Sequence, residues 1–270
     1  MSEERFAEIR YEVEDPVAVI TIDRPSRMNA FTAVTMREMR VALERSMADT
    51  RVVGAVVTGA GNAFCVGLDA SSLANTVERP PDLTGIPGDQ LAIFSYIRDL
   101  PKPVIAAVNG MCAGGGFVLA LMCDLRFAAE DAVFTTVFSK RGLVAEHATS
   151  WLLPHLVGTG RALDLLWSSR RVSGTEAVQL GLAERLAEPG HVVQMAIAYV
   201  KELATTASPR SLKITKELVN AHWSASFEAA AEAGHLATMD SLGEPDFAEG
   251  VQSFLERRPP RFGRIGDGPE

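Results

Sequence analysis

The sequence predicts an α/β fold, and three observations carry that prediction. Short β-branched runs alternate with stretches of helical periodicity. Glycine, proline and asparagine punctuate most of the junctions between them. From about residue 191 onward the strand-like runs stop and the pattern turns helical. At 270 residues and 47% hydrophobic, the chain can bury a substantial core and suits one domain with an appendage.

Taken in order, Val17–Ile22 is a strand run ended by Asp23-Arg24-Pro25. Thr32 to Met47 places Met36, Met39, Val41, Leu43 and Met47 at helical spacing, with Thr32 as N-cap. Val52 to Thr58 is a second strand, closed by Gly59-Ala60-Gly61-Asn62, and Ala63 to Asp69 follows it. Asn75 to Gln90 holds three prolines and two glycines and reads as a mobile surface loop. Leu91 to Leu100 reads as helix, and Leu125–Ala129 and Ala132–Phe138 as strands. Ser208-Pro209 is an N-cap and first-position pair, and Phe227 to Met239 is an Ala/Glu-rich helix. The tail from Arg258 is expected to fray or to pack on a neighbour. The resulting division is a core over 1–190, a helical region over 191–258 and a tail over 259–270.

Pro103 to Gly116 is the most informative stretch. An apolar run stops at Asn109-Gly110, and the triplet Gly114-Gly115-Gly116 opens a second apolar run, Phe117 to Cys123. This predicts a buried strand, a tight turn, and a helix whose first turn lacks side chains. N–H groups at a helix start have no intrahelical partner and sit at the positive end of the dipole. They can hold a developing oxyanion, and glycine lets a ligand carbonyl come close. Glycines that only let a helix pack on a sheet would look the same. Val104 to Cys123 is long enough to span a bilayer without a charge, but the turn and the triplet interrupt it, so a buried core is expected.

Several function classes are disfavoured. The formal charge is -8 and no basic run is interleaved with aromatics, which argues against nucleic acid. Cys65, Cys112 and Cys123 form no CxxC pair, which fits reduced thiols in a cytoplasm. The five histidines lack metal-ligand spacing, so no metal is expected. Met-Ser-Glu-Glu-Arg at the start is polar, and no secretory signal is expected. After Gly59-Ala-Gly61 the third glycine position of a dinucleotide fingerprint is Phe64, and neither a P-loop nor a GxSxG elbow occurs.

Six ordered blocks carry a resemblance. They are Ile20–Phe31, Thr58–Asp69, Lys102–Gly116, Cys123–Ala132, Leu152–Gly158 and Phe254–Phe262. Together they resemble the enoyl-CoA hydratase/isomerase (crotonase) family over residues 8 to 262. The resemblance implies a spiral of ββα units, a helical C-terminal region that trimerises, and often a dimer of trimers. It implies an acyl-CoA thioester substrate, with coenzyme A entering as part of the substrate and no separate cofactor. Carried over by position, the backbone N–H groups of Leu68 and Gly115 would stabilise a thioester enolate. Arg24, Met28, Asn29 and Ala30 would lie near the adenine and phosphates, and Leu68, Asp69, Ala70 and Ser71 along the pantetheine. Arg257 would reach a neighbour's coenzyme A.

The chain also departs from the family. Family hydratases use two glutamates to hold water and shuttle protons, and at those positions this chain has Val118 and Phe138. Neither side chain can accept a proton, and general acid–base steps contribute about 10²–10⁴-fold each. Water addition is therefore disfavoured. Gly142-Leu-Val-Ala-Glu146 is similar to the segment in some family isomerases where a glutamate is the lone base. The resemblance thus points to Glu146 moving a proton in double-bond isomerisation, with His147 beside it. The plainer reading is that Glu146 caps the helix near Thr149 or pairs with Arg141 or His147. Thioester or C–C hydrolysis, and acyl-CoA binding without turnover, are the alternatives.

Overall fold

The computed structural model describes residues 6–78 and 92–266. Strand β1 (Ile9–Glu14) pairs antiparallel with β2 (Val17–Ile22). Beyond β2 the pairing turns parallel, through β3 (Gly54–Gly59), β5 (Val104–Val108), β7 (Leu125–Ala129) and β10 (Arg185–Ala187). This gives a six-stranded sheet in the order β1-β2-β3-β5-β7-β10. A second sheet has the order β4-β6-β8-β9, from Ala63–Cys65, Met111–Ala113, Val133–Thr135 and Val172–Ser173.

The two sheets are built in step. β3 leads to β4, β5 to β6 and β7 to β8, and each pair puts its first strand in the large sheet and its second in the small one. Helix α2 (Ala70–Glu78) follows β4 and helix α3 (Gly115–Met122) follows β6. That repetition is the expected spiral of ββα units. β3 and β5 are buried along their whole length, as parallel strands covered on both faces must be.

Helix α1 (Ala33–Ala48) begins where predicted. Thr32 Oγ1 accepts from the N–H groups of Val34 and Thr35, and Thr35 Oγ1 accepts from Thr32 N–H, closing a reciprocal cap. After β8 come α4 (Thr149–Val157), α5 (Thr159–Ser168) and α6 (Gly174–Leu180). The helical C-terminal region comprises α7 (Val192–Thr206), α8 (Pro209–His222), α9 (Phe227–Leu242) and α10 (Pro245–Glu256). α7 buries Val192, Ala196 and Val200. On α8, Lys216 Nζ reaches Asp124 at 2.8 Å and the Ile97 carbonyl at 3.1 Å, tying the helix to the core.

Four expectations are corrected. The Asn109-Gly110 turn leads into β6 before α3 starts, because a Cβ at Gly110 would lie 2.2 Å from the Asn62 carbonyl and the strands pack too closely for one. Asn75 falls inside α2, and residues 79–90 of the expected surface loop lie outside the described residues. The helix expected over Leu91 to Leu100 is a 3-10 helix at Ser95–Asp99, preceded by Phe94 in the left-handed region. Lastly, the tail through residue 266 folds back on its own α10. Arg258 pairs with Glu249 at 2.6 Å, and the Arg261 N–H donates to the same carboxylate.

Candidate active site

The glycine triplet has two physical roles. A Cβ at Gly116 would lie 2.0 Å from the Cys65 carbonyl oxygen, so this glycine serves the packing of α3 on β4. Gly115 is the first residue of α3, and the first intrahelical bond runs from Val118 N–H to the Gly114 carbonyl. The Gly115 N–H is therefore one of the orphan donors of the helix start. Among the described residues it has no protein acceptor.

A second unpaired donor lies across from it. Phe31 and Leu68 form an isolated parallel bridge, with Phe31 N–H donating to Gly67 and Asp69 N–H donating to Phe31. Successive amides of an extended chain point to opposite sides, so the Leu68 N–H faces away from Phe31. It too lacks a protein acceptor among the described residues. Gly67 has φ +93°, and a Cβ there would stand 2.9 Å from the Gly115 nitrogen. Only a residue without a side chain lets the two donor segments come this close.

Leu68, Gly115 and Glu146 line one cavity of about 290 Å³. Its walls are mostly apolar: Phe31, Met36, Ile93, Val137, Phe138 and Leu143. Phe31 is held edge-on against Phe94 at 5.6 Å. Among the described lining residues Glu146 is the one carboxylate, and Arg141 and His147 are the other ionisable groups. Glu146 is 30% exposed, and its Oε2 lies 3.3 Å from His147 Nε2. The carboxylate does not cap α4. Instead the Glu146 backbone carbonyl accepts from the N–H and the hydroxyl of Thr149, at 2.9 and 2.5 Å. Val118 is fully buried inside α3 and does not line the cavity.

A wider chamber of about 550 Å³ adjoins it and shares Leu68, Val137 and Arg141. Met28, Ala30, Asp69 and Ala70 line it, together with Arg27, Lys140, Arg141 and Arg171. None of these four cations is in an ion pair among the described residues. Lys140 Nζ donates to the Ser169 carbonyl at 2.8 Å. Four unpaired cations at one mouth of an acidic protein make a local positive field suited to a polyanion.

The remaining sequence candidates serve the scaffold around this mouth. Arg24 pairs with Glu8 at 3.3 Å and Asp69 at 3.2 Å, and also donates to the Ala30 carbonyl. It does not line either chamber. Asn29 is fully buried and donates to the carbonyls of Ala60 and Ala63, which fixes the turn before β4. Asp69 accepts from the Ser71 N–H and hydroxyl, and hydrogen bonds from Ser71, then Arg24, hold its carboxyl below the usual carboxylate range. Arg257 is exposed in a left-handed cap at the end of α10, outside both chambers. Cys65, under the α3 start, is completely buried, and burial pushes its thiol up to about 12, so it offers no thiolate nucleophile.

The mouth cations were missed by sequence reasoning for a simple reason. Arg27 ends the short 3-10 turn Pro25–Arg27 that Arg24 precedes, and Lys140-Arg141 follow Phe138-Ser139, yet no spacing rule distinguishes a lining arginine from a scaffold arginine. Among the described residues no group of three or more metal-ligating side chains comes together, and no helix is long and apolar enough to cross a membrane.

Residues 12–264 match the enoyl-CoA hydratase/isomerase family. A probable enoyl-CoA hydratase of Rhodobacter capsulatus is 35% identical over 94% of this chain and 97% of its own. The 1,2-epoxyphenylacetyl-CoA isomerase of Escherichia coli is 30% identical over 93% of this chain and 96% of its own. Among solved structures, a probable enoyl-CoA hydratase/isomerase from Mycobacterium abscessus superimposes with a TM-score of 0.85 at 36% identity, covering 95% of this chain and 98% of that one.

Proposed function

Since the chain belongs to the enoyl-CoA hydratase/isomerase family, we propose that it shifts the double bond of an enoyl-CoA from the 3- to the 2-position, with Glu146 as the proton carrier. The thioester oxygen would accept from the Leu68 and Gly115 N–H groups while the coenzyme A phosphates meet the cations of the mouth. Glu146 removes a proton from C2, and the electron pair spreads through C1 onto the thioester oxygen and through C3 to C4, giving a dienolate. Returning that proton to C4 collapses the dienolate to the 2-enoyl thioester. One carboxylate suffices because the proton it takes is the proton it gives back.

One observation carries this reading: the cavity lined by Leu68 and Gly115 has a single carboxylate among its described lining residues, and it is Glu146. Each oxyanion donor of this kind typically contributes about 3–4 kcal/mol to lowering the barrier. Phe138, at the second hydratase position, adds an apolar wall that cannot orient water. Association as trimers or dimers of trimers, expected from the resemblance, belongs to the same proposal, as does a cytoplasmic setting.

The test is an assay of purified protein with 3-enoyl-CoA and 2-enoyl-CoA thioesters. The parent should convert the former, and Glu146→Gln should lower turnover by about 10²–10⁴-fold. Robust hydration of the 2-enoyl thioester, unchanged in Glu146→Gln, would overturn the assignment. Release of free coenzyme A would point to hydrolysis, and tight thioester binding without product to a binding protein.

A further inference from the structure

We propose that His147 is a positioning residue that fixes the working orientation of the Glu146 carboxylate, an inference that rests on the acid–base role given to Glu146 above. Neighbouring side chains along an extended or helical chain diverge, so an i, i+1 pair does not normally meet. Here they do, because the backbone is bent at this point. His147 has φ 51° and Ala148 φ 60°, two consecutive non-glycine residues in the left-handed region. Such residues are strained and persist only where their surroundings over-determine them. The bend brings His147 Nε2 to 3.3 Å from Glu146 Oε2, at the wall of the cavity.

The other ring nitrogen sets the tautomer. The backbone N–H of Ile93, from the segment leading into the 3-10 helix, donates to His147 Nδ1 at 3.5 Å. An Nδ1 that accepts leaves the proton of a neutral imidazole on Nε2, the nitrogen that faces the carboxylate. With Oε2 held against that nitrogen, Oε1 is left as the basic oxygen. Ile93 itself lines the cavity, so the same segment that walls the acyl site also orients the imidazole.

The experiment compares the parent with Glu146→Gln, His147→Ala and His147→Gln in isomerisation of a 3-enoyl-CoA thioester, with thermal unfolding as the check on folding. His147→Ala should lower kcat by about 10²-fold with KM nearly unchanged, the size of effect expected when a reacting group loses its alignment. Added imidazole should restore part of that rate, and His147→Gln, which keeps an N–H donor, should recover most of it. ¹⁵N spectra of the parent should show the Nε2–H tautomer at His147, a readout independent of turnover. An Nδ1–H tautomer, full kcat in His147→Ala, or a raised KM at unchanged kcat would each overturn the inference. If Glu146→Gln is inactive while His147→Ala keeps full kcat, only the positioning role falls. If Glu146→Gln keeps full activity, the base assignment fails, and positioning fails with it.

Discussion

Gly67 offers a direct test of the paired N–H groups, because a single methyl added there points at one of them. The Cβ of Gly67→Ala would stand 2.9 Å from the Gly115 nitrogen and 3.2 Å from the Ala113 carbonyl oxygen. Ordinary contact distances are about 3.5–4.0 Å, so the methyl intrudes by roughly 0.6–1 Å and must push the two segments apart. A misplacement of about 1 Å at a reacting centre costs about 10²-fold. The φ of +93° adds a backbone penalty of about 1–2 kcal/mol for any L-residue. Gly158→Ala separates the two effects. Gly158 has φ +80° and nothing within 4 Å of a built Cβ, so alanine there carries the backbone strain alone. Both variants should lose stability in thermal unfolding, while only Gly67→Ala should lose kcat/KM, by about 10²-fold or more. A folded Gly67→Ala enzyme with parental kcat/KM would refute the reasoning, since the donors could not then be working at the spacing described.

Two further outcomes follow from charge. Arg27→Ala and Arg171→Ala should each raise KM for coenzyme A thioesters by a few-fold (about 3–10) with kcat unchanged, and the difference should shrink as salt rises; a salt-independent KM would remove these cations from ligand binding. Glu249 is held down to about 2 by hydrogen bonds from Arg258, then from the Arg261 N–H, against an ordinary value of 4.5. A carboxyl depressed in the folded state adds stability that is complete above about pH 4.5 and is lost as pH falls toward 2. Thermal unfolding across that window should therefore show a steeper acid loss in the parent than in Glu249→Gln, and parallel curves would show that this pairing does not hold the tail.

The parts of the fold that were legible in the sequence are those fixed locally. Val17–Ile22 is the strand its β-branching predicts, and Thr32 caps α1 as its position before the Met-rich periodicity requires. The Ser208-Pro209 start of α8 likewise needs nothing beyond its own residues. The short strands β4, β6 and β8 were not legible as a second sheet, because runs of three residues carry too little periodicity to stand out. The arginines show the same limit at the site. Arg24 and Arg27 are three residues apart with the same chemistry, and which of them faces the mouth is decided by Glu8 and Asp69, which capture Arg24 from distant points in the chain.

What the sequence could not disclose is where the backbone is strained, and the strain collects around the cavity. Of the eight non-glycine residues with positive φ among the described residues, Met28, Val137, His147 and Ser169 line one of the two chambers. Val137 is the most telling, since a β-branched residue in the left-handed region is a true outlier. Its side chain reaches the α3 start, where a Cβ on Gly114 would lie 3.3 Å from Val137 Cγ2. The same residue walls both chambers, so it stands at the neck where a ligand would pass from the cationic mouth to the carboxylate. No local preference would choose valine for that conformation. It is held between two anchored neighbours, the buried Thr136, whose hydroxyl donates to the Leu165 carbonyl, and the buried Phe138. The chemistry proposed for Glu146 and for the N–H groups of Leu68 and Gly115 would thus depend on packing outside the cavity itself.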